Sequence, residues 1–246
     1  MDVSAAMSAF GVLCGMTVPM LCLPTAFIGA MGLVLVPKLS QSVALGRMDE
    51  VRRRIHKALL ATSVLVMPAL AILVVLGPTI GVLLFREATV GRYMVPLSLG
   101  VLLSCYQSVL SGVLSGIGRQ AAAARSSLLC GAVQLGCTWA LMGLPGVGLR
   151  GYVAGFVLSS ALGALLNYRE AARHTGLRPR LFQWCTAPAL SALLMGLVVN
   201  LLFRILLDAG MGGAPACLAC ILFGGVLYLT ALSAQGVRPS QLFRLK

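Results

Sequence analysis

The sequence predicts an all-α fold, a polytopic membrane helix bundle of about seven transmembrane helices, on three observations. Hydrophobic residues make up 59% of the 246 and charged residues only 10%, against about 25% charged in an ordinary soluble domain. Uncharged stretches of the length that crosses a bilayer as a helix, about 20 residues, recur from one end of the chain to the other. Lys and Arg gather in the intervals between these stretches, as they do in the cytoplasmic loops of membrane proteins.

The stretches run over 3 to 37, 58 to 85, 93 to 118, 126 to 149, 151 to 168, 181 to 203 and 209 to 237. They form a single membrane domain over 1 to 246. Pro19 and Pro24 are expected to kink the first span, because each removes a backbone donor and crowds the preceding turn. Residues 38 to 57 are expected to be a cytoplasmic amphipathic loop. Within it Met48, Val51, Ile55 and Leu59 fall at helical spacing, Arg52, Arg53, Arg54 and Lys57 cover the remainder, and Asp49 and Glu50 occupy the favourable first turn. The breakers Pro145, Gly146 and Gly148 set a tight turn between the fourth and fifth spans.

Of the 19 Lys and Arg, only Arg86, Arg92, Arg150 and Arg204 fall on one side of this arrangement. The rest mark the other side, and with it the C-terminus, as cytoplasmic. Seven spans then place the N-terminus outside. No basic n-region or cleavage site precedes the first span, so the sequence is expected to follow an odd number of upstream helices, with a chain whose uncharged-to-acidic N-terminal tail is itself exported as the alternative. The net charge of +13 is membrane-surface charge: the basic clusters lack the interleaved aromatics of a nucleic-acid face, and no nucleic-acid partner is expected.

Small residues at four-residue spacing mark close helix contacts in lipid, where association depends on van der Waals approach. Ser104, Ser108, Gly112 and Gly116 form one such row, Gly151, Gly155, Ser159 and Gly163 a second, and Gly11 and Gly15 a shorter third. The 8 cysteines lie in apolar runs and read as small hydrophobes, the pair Cys217 and Cys220 included. The chemistry an enzyme needs is missing from the spans: Asp2, Asp49, Glu50, Glu87, Glu170 and Asp208 sit at span ends or in loops, and no P-loop, G-x-S-x-G or H-E-x-x-H occurs. No cofactor or metal is called for. Neutral polar residues do lie in the spans, among them Gln107, Gln134, Thr138, Asn167 and Asn200, and such groups face other helices or a wet cavity.

Three local patterns then resemble one family. The run Phe10-Gly11-Val12-Leu13-Cys14-Gly15-Met16-Thr17-Val18-Pro19, with Leu23-Pro24 and Leu35-Val36-Pro37-Lys38-Leu39-Ser40, resembles the eighth helix of the stage V sporulation protein B group. That group is part of the multidrug/oligosaccharidyl-lipid/polysaccharide exporter superfamily. Gly112-Val113-Leu114-Ser115-Gly116-Ile117-Gly118-Arg119 is similar to that group's helix end, with Ser115 where Gln is usual, and the segment from Pro145 to Gly151 resembles its Gly-rich turn. The resemblance implies the last seven of fourteen helices, hence a C-terminal lobe of a flippase in the bacterial plasma membrane. Its partners would be membrane lipids and a lipid-linked oligosaccharide or peptidoglycan precursor, moved by alternating access. The chain would be inactive without its missing N-terminal lobe.

Arg119 and Arg125, with Gln107, Gln134 and Asn167, are the residues to expect against an anionic pyrophosphate-lipid. A multidrug antiporter of the same superfamily would want an intramembrane carboxylate, which the spans lack. A non-transporting membrane scaffold or remnant is the alternative from another class. The charge count predicts that a cysteine placed at Lys246 is labelled only from the cytoplasmic side and one beside Arg86 only from outside. Labelling of Lys246 from outside contradicts the orientation.

Overall fold

The computed structural model describes residues 3–143, 147–177 and 185–235. Helix dominates, and no strand occurs among the described residues. In chain order the elements are α1 (Val3–Val12), a π turn (Leu13–Thr17), α2 (Val18–Ala44), α3 (Met48–Phe85), a 3-10 turn (Ala88–Tyr93), α4 (Met94–Gly116), α5 (Gln120–Met142), α6 (Leu149–Thr175), α7 (Ala187–Asp208) and α8 (Gly213–Ala234). Among the described residues six helices are long and apolar enough to cross a membrane, the first running over Met7–Ala44. Large apolar side chains on them, such as Leu33, Leu193, Leu197 and Leu222, are exposed, as expected of surfaces solvated by lipid.

The fourth expected span, α5, falls short of that standard. Its 23 residues suffice at 1.5 Å each for a rise of about 34 Å, but Gln134, Arg125 and several small polar residues dilute it. Leu128, Leu135 and Trp139 are exposed on α5 beside Arg125 and Ser127, whereas Ser126 and Cys130 are buried.

Two expectations about the cytoplasmic segment need correction. Residues 38–57 are not a loop: α2 continues through Pro37 to Ala44 and α3 begins at Met48. Nor does the amphipathic stretch lie apart from the following span, because both belong to one 38-residue helix of about 57 Å, well beyond the roughly 30 Å of bilayer hydrocarbon. Its first turns are held by Arg54 to Glu50 at 2.5 Å and Arg52 to Asp49 at 3.5 Å. The hairpin residues Pro145 and Gly146, and Arg178, Arg180, Arg238, Arg244 and Lys246, lie outside the described residues.

The described chain divides into two compact units. One draws on 3–21, 63–95 and 185–235, the other on 22–62, 96–143 and 147–177. In the first, the helix before Pro19 widens into the π turn, with Val18 N–H donating to Leu13 O. Pro19 would otherwise press its ring on the carbonyl four residues back, and a wider turn relieves that crowding. Thr17 Oγ1 reaches both Val12 O and Val90 O at 3.2 Å, tying the turn to the 3-10 segment. That segment is capped by Glu87, which accepts from Thr89 N at 3.2 Å and Thr89 Oγ1 at 2.8 Å. The Thr89 hydrogen bonds hold the Glu87 carboxyl below the usual carboxylate range. Pro24 and Pro37, which belong to the second unit, lie inside α2. In the first unit α7 packs on α8, with Gly224 against Val199 and Met195 and Gln235 Nε2 donating to Ser191 Oγ at 3.1 Å. Cys217 and Cys220 are free and buried.

The second unit is organised by α6. Gly151, Gly155, Ser159, Gly163, Asn167, Ala171 and Thr175, every fourth residue of the helix, are all buried. Each four-residue step turns about 40° around a helix of 3.6 residues per turn, so the row winds from one neighbour to another. A Cβ on Gly151 would come 2.8 Å from Leu141 Cβ, and one on Gly155 3.2 Å from Thr138 Oγ1, both on α5. At Gly163 it would strike the Gln107 amide of α4. Gly116 meets α2, 2.8 Å from Leu39 Cβ, and Ser40 Oγ donates to its carbonyl at 3.0 Å, satisfying one of the orphan acceptors at the α4 C-terminus. Gly112 makes only ordinary contact, 3.9 Å to Val36.

Other members of the expected rows are not packed. Gly11 and Gly15 have nothing within 4 Å, and Ser108 is exposed while Ser104 is half-buried. The spacing is present there, but no helix of the described chain lies on it. Gly155→Leu is therefore expected to lower stability in detergent by about 1 to 3 kcal/mol through overpacking. Gly11→Leu should stay within about 0.5 kcal/mol of the parent. Thermal unfolding of the two variants side by side checks the contrast.

Candidate functional site

The polar side chains buried in the second unit converge on α6. Asn167 is fully buried. Its Oδ1 accepts from Ser126 Oγ of α5 at 2.5 Å, and its Nδ2 donates to Gln107 O of α4 at 3.2 Å. One amide thus joins three helices, and both ends of it are used. One helical face away, Ser159 Oγ lies 3.4 Å from Gln134 Oε1 and 3.1 Å from Phe156 O. Thr138 Oγ1, close to Gly155, is buried with no hydrogen-bond partner.

At the end of this unit where basic residues gather, a recess of about 190 Å³ is lined by Val43, Met48, Ile117, Arg119, His174 and Thr175. The chain arrives there by helix ends. Val43 closes α2 and Met48 opens α3; Ile117 follows α4; Arg119 is the N-cap of α5; His174 and Thr175 end α6. Gly118 and Gly176 adopt positive φ of 78° and 65°, a conformation glycine takes without strain. Gly176 N–H donates to Ala172 O at 2.9 Å and stops α6 in a left-handed cap.

A chain of polar contacts fixes the Arg119 guanidinium. Its Nη2 lies 3.2 Å from His174 Nδ1, and His174 Nε2 lies 3.1 Å from Glu170 Oε1. A guanidinium only donates, so Nδ1 accepts and the imidazole proton sits on Nε2, aimed at the carboxylate. That is a neutral ring in a defined tautomer. Glu170 also has Arg173 at 3.9 Å.

Of the residues the sequence marked for substrate, Gln107, Gln134 and Asn167 meet in the interior of this unit. Arg119 is at its basic end, in the recess, and Arg125 is exposed on α5 and does not line the recess. Ser126, Glu170 and His174 were not marked. The four-residue spacing of Glu170 and His174 was a readable signal for their pairing. Nothing in the sequence announced that Ser126 would meet Asn167, 41 positions away.

The described helices make up a polytopic membrane protein with buried polar contacts and a basic helix end. A family model described as lipid II flippase MurJ matches residues 16–218. The chain belongs to this family of lipid-linked precursor flippases, itself within the multidrug/oligosaccharidyl-lipid/polysaccharide superfamily. Among curated proteins, nothing matches.

Asn167→Ala removes two interhelical hydrogen bonds and leaves Ser126 buried without a partner. Interhelical hydrogen bonds in membranes are worth about 0.6 to 1.7 kcal/mol each, so a loss of that order is expected in unfolding measurements. Gln134→Ala, which loses one long contact, should cost less.

Proposed function

We propose that this chain works as a lobe of a lipid II flippase of the bacterial plasma membrane. The observation that carries the reading is the family match over residues 16–218. A lipid-linked peptidoglycan precursor presents a pyrophosphate between its lipid and its sugars. Cationic forks suit that group. Arg119 and Arg125 are the candidates with cationic donors to offer, whereas the Asn167 amide already serves neighbouring helices.

The resemblance to the stage V sporulation protein B group supports the finer assignment, in which these helices are the C-terminal lobe. Alternating access in transporters built from repeats moves one bundle against another around a shared site, so one lobe has no second wall to close against. Polar residues in the spans and the absence of carboxylates from the middle of the described helices favour this reading over an antiporter of organic cations.

The test is reconstitution in proteoliposomes with labelled lipid II. The isolated 246 residues are expected to insert without flipping. Co-reconstituted with a matching N-terminal seven-helix piece, they should flip, and Arg125→Ala should slow the reaction. Flipping by the isolated chain at the assembled rate would refute the one-lobe reading, and absence of flipping from the assembled pair would refute the flippase reading itself.

A further inference from the structure

The Arg119 recess carries more than a transport role requires. We propose that it is a binding site for a single phosphate oxyanion, brought either by the headgroup of an anionic phospholipid or as the free ion. Four features of the recess point there.

The first is uncompensated charge. Arg47, Arg52, Arg54 and Arg173 each lie within 4.0 Å of an Asp or Glu oxygen. Arg119 instead donates to a neutral imidazole nitrogen, and no carboxylate pairs with it among the described residues. An acceptor without charge positions the guanidinium and leaves its positive charge available. The second is donor capacity. A guanidinium has five N–H donors, one of them directed at His174, and a phosphate is the geometric complement of the remaining fork.

The third is pre-organisation. Glu170 holds His174 and His174 holds Arg119, while the backbone on either side is set by the turn at Gly118 and the α5 N-cap. These contacts restrict the exposed Arg119 side chain before a ligand arrives and lower the entropy lost on binding. The nearby Glu170 carboxylate is itself turned to His174 and Arg173. The fourth is size and walls. About 190 Å³, against the roughly 10 to 15 Å³ that a single water needs, leaves ample room for one phosphate. Val43, Met48 and Ile117 give apolar walls suited to the glycerol and upper acyl portion of a lipid. The site does not rest on the transport reading.

The experiment uses the 246-residue chain in nanodiscs of phosphatidylcholine, with and without phosphatidylglycerol, and separately with inorganic phosphate titrated into the phosphatidylcholine discs. Thermal unfolding is read for the parent, for Arg119→Ala and Arg119→Gln, and for Arg53→Ala as a control that removes an equal charge at the same end of the unit. The expected result is a stabilising shift that Arg53→Ala retains and both Arg119 variants lose. Where the shift can be titrated, the half-saturation point should move roughly tenfold or more, as for loss of a hydrogen bond between charged groups. A shift with phosphatidylglycerol and none with inorganic phosphate supports the site with the headgroup as its source. A shift with inorganic phosphate alone supports it with the free ion as its source. Absence of any shift, or a shift that the Arg119 variants keep, overturns the proposal. The Gln variant keeps a shorter, uncharged polar side chain, so a folding defect confined to Arg119→Ala leaves the test intact.

Discussion

Lipid gives two helices no hydrophobic reason to associate, so what holds this protein together is how closely backbones can approach. The row on α6 from Gly151 to Thr175 is the clearest expression of that constraint. Its glycines bring α5 and α4 so near that a methyl group has no room. The same closeness brings the Asn167 amide within reach of a hydroxyl on one neighbour and a carbonyl on the other. Polar bonding here is a consequence of packing. It fixes register between helices that smooth apolar surfaces would let slide.

The packing also explains where polarity can be found. Among the described residues six helices carry exposed apolar side chains suited to lipid, while α5 places Ser126 where α6 covers it and mixes Leu128, Leu135 and Trp139 with Arg125 on its exposed side. The charged residues are displaced to the helix ends, where water or headgroups solvate them. Arg119 stands apart in being held by a neutral ring.

The sequence made the helical class, the approximate spans and the α6 row legible, because each depends on local composition or on a four-residue period. Helix ends were less legible. The first stretch was bounded at Pro37 by the charge on Lys38, yet α2 runs seven residues past that proline to Ala44, since the backbone groups a proline frees in a membrane helix can be satisfied by neighbouring groups. The stretch from Met48 looked like a surface helix because its charge pattern is amphipathic. That pattern could not reveal that the apolar run after Lys57 continues the same rod. The glycines at 11 and 15 show the converse limit: spacing marks a face able to pack closely, and whether a partner lies there is a tertiary fact. Of the candidate site, the individual polar residues were visible but their pairing was not, because Ser126 meets Asn167 through the α5–α6 hairpin.

The α6 row also has a consequence for inheritance. Glycine has no smaller neighbour in the genetic code, so every missense change at Gly151, Gly155 or Gly163 adds volume at a contact where even a Cβ is crowded. Drift at these codons therefore runs in one direction only, toward looser helices. A change elsewhere can offset it only by making a facing residue smaller, as at Leu141 or Gln107.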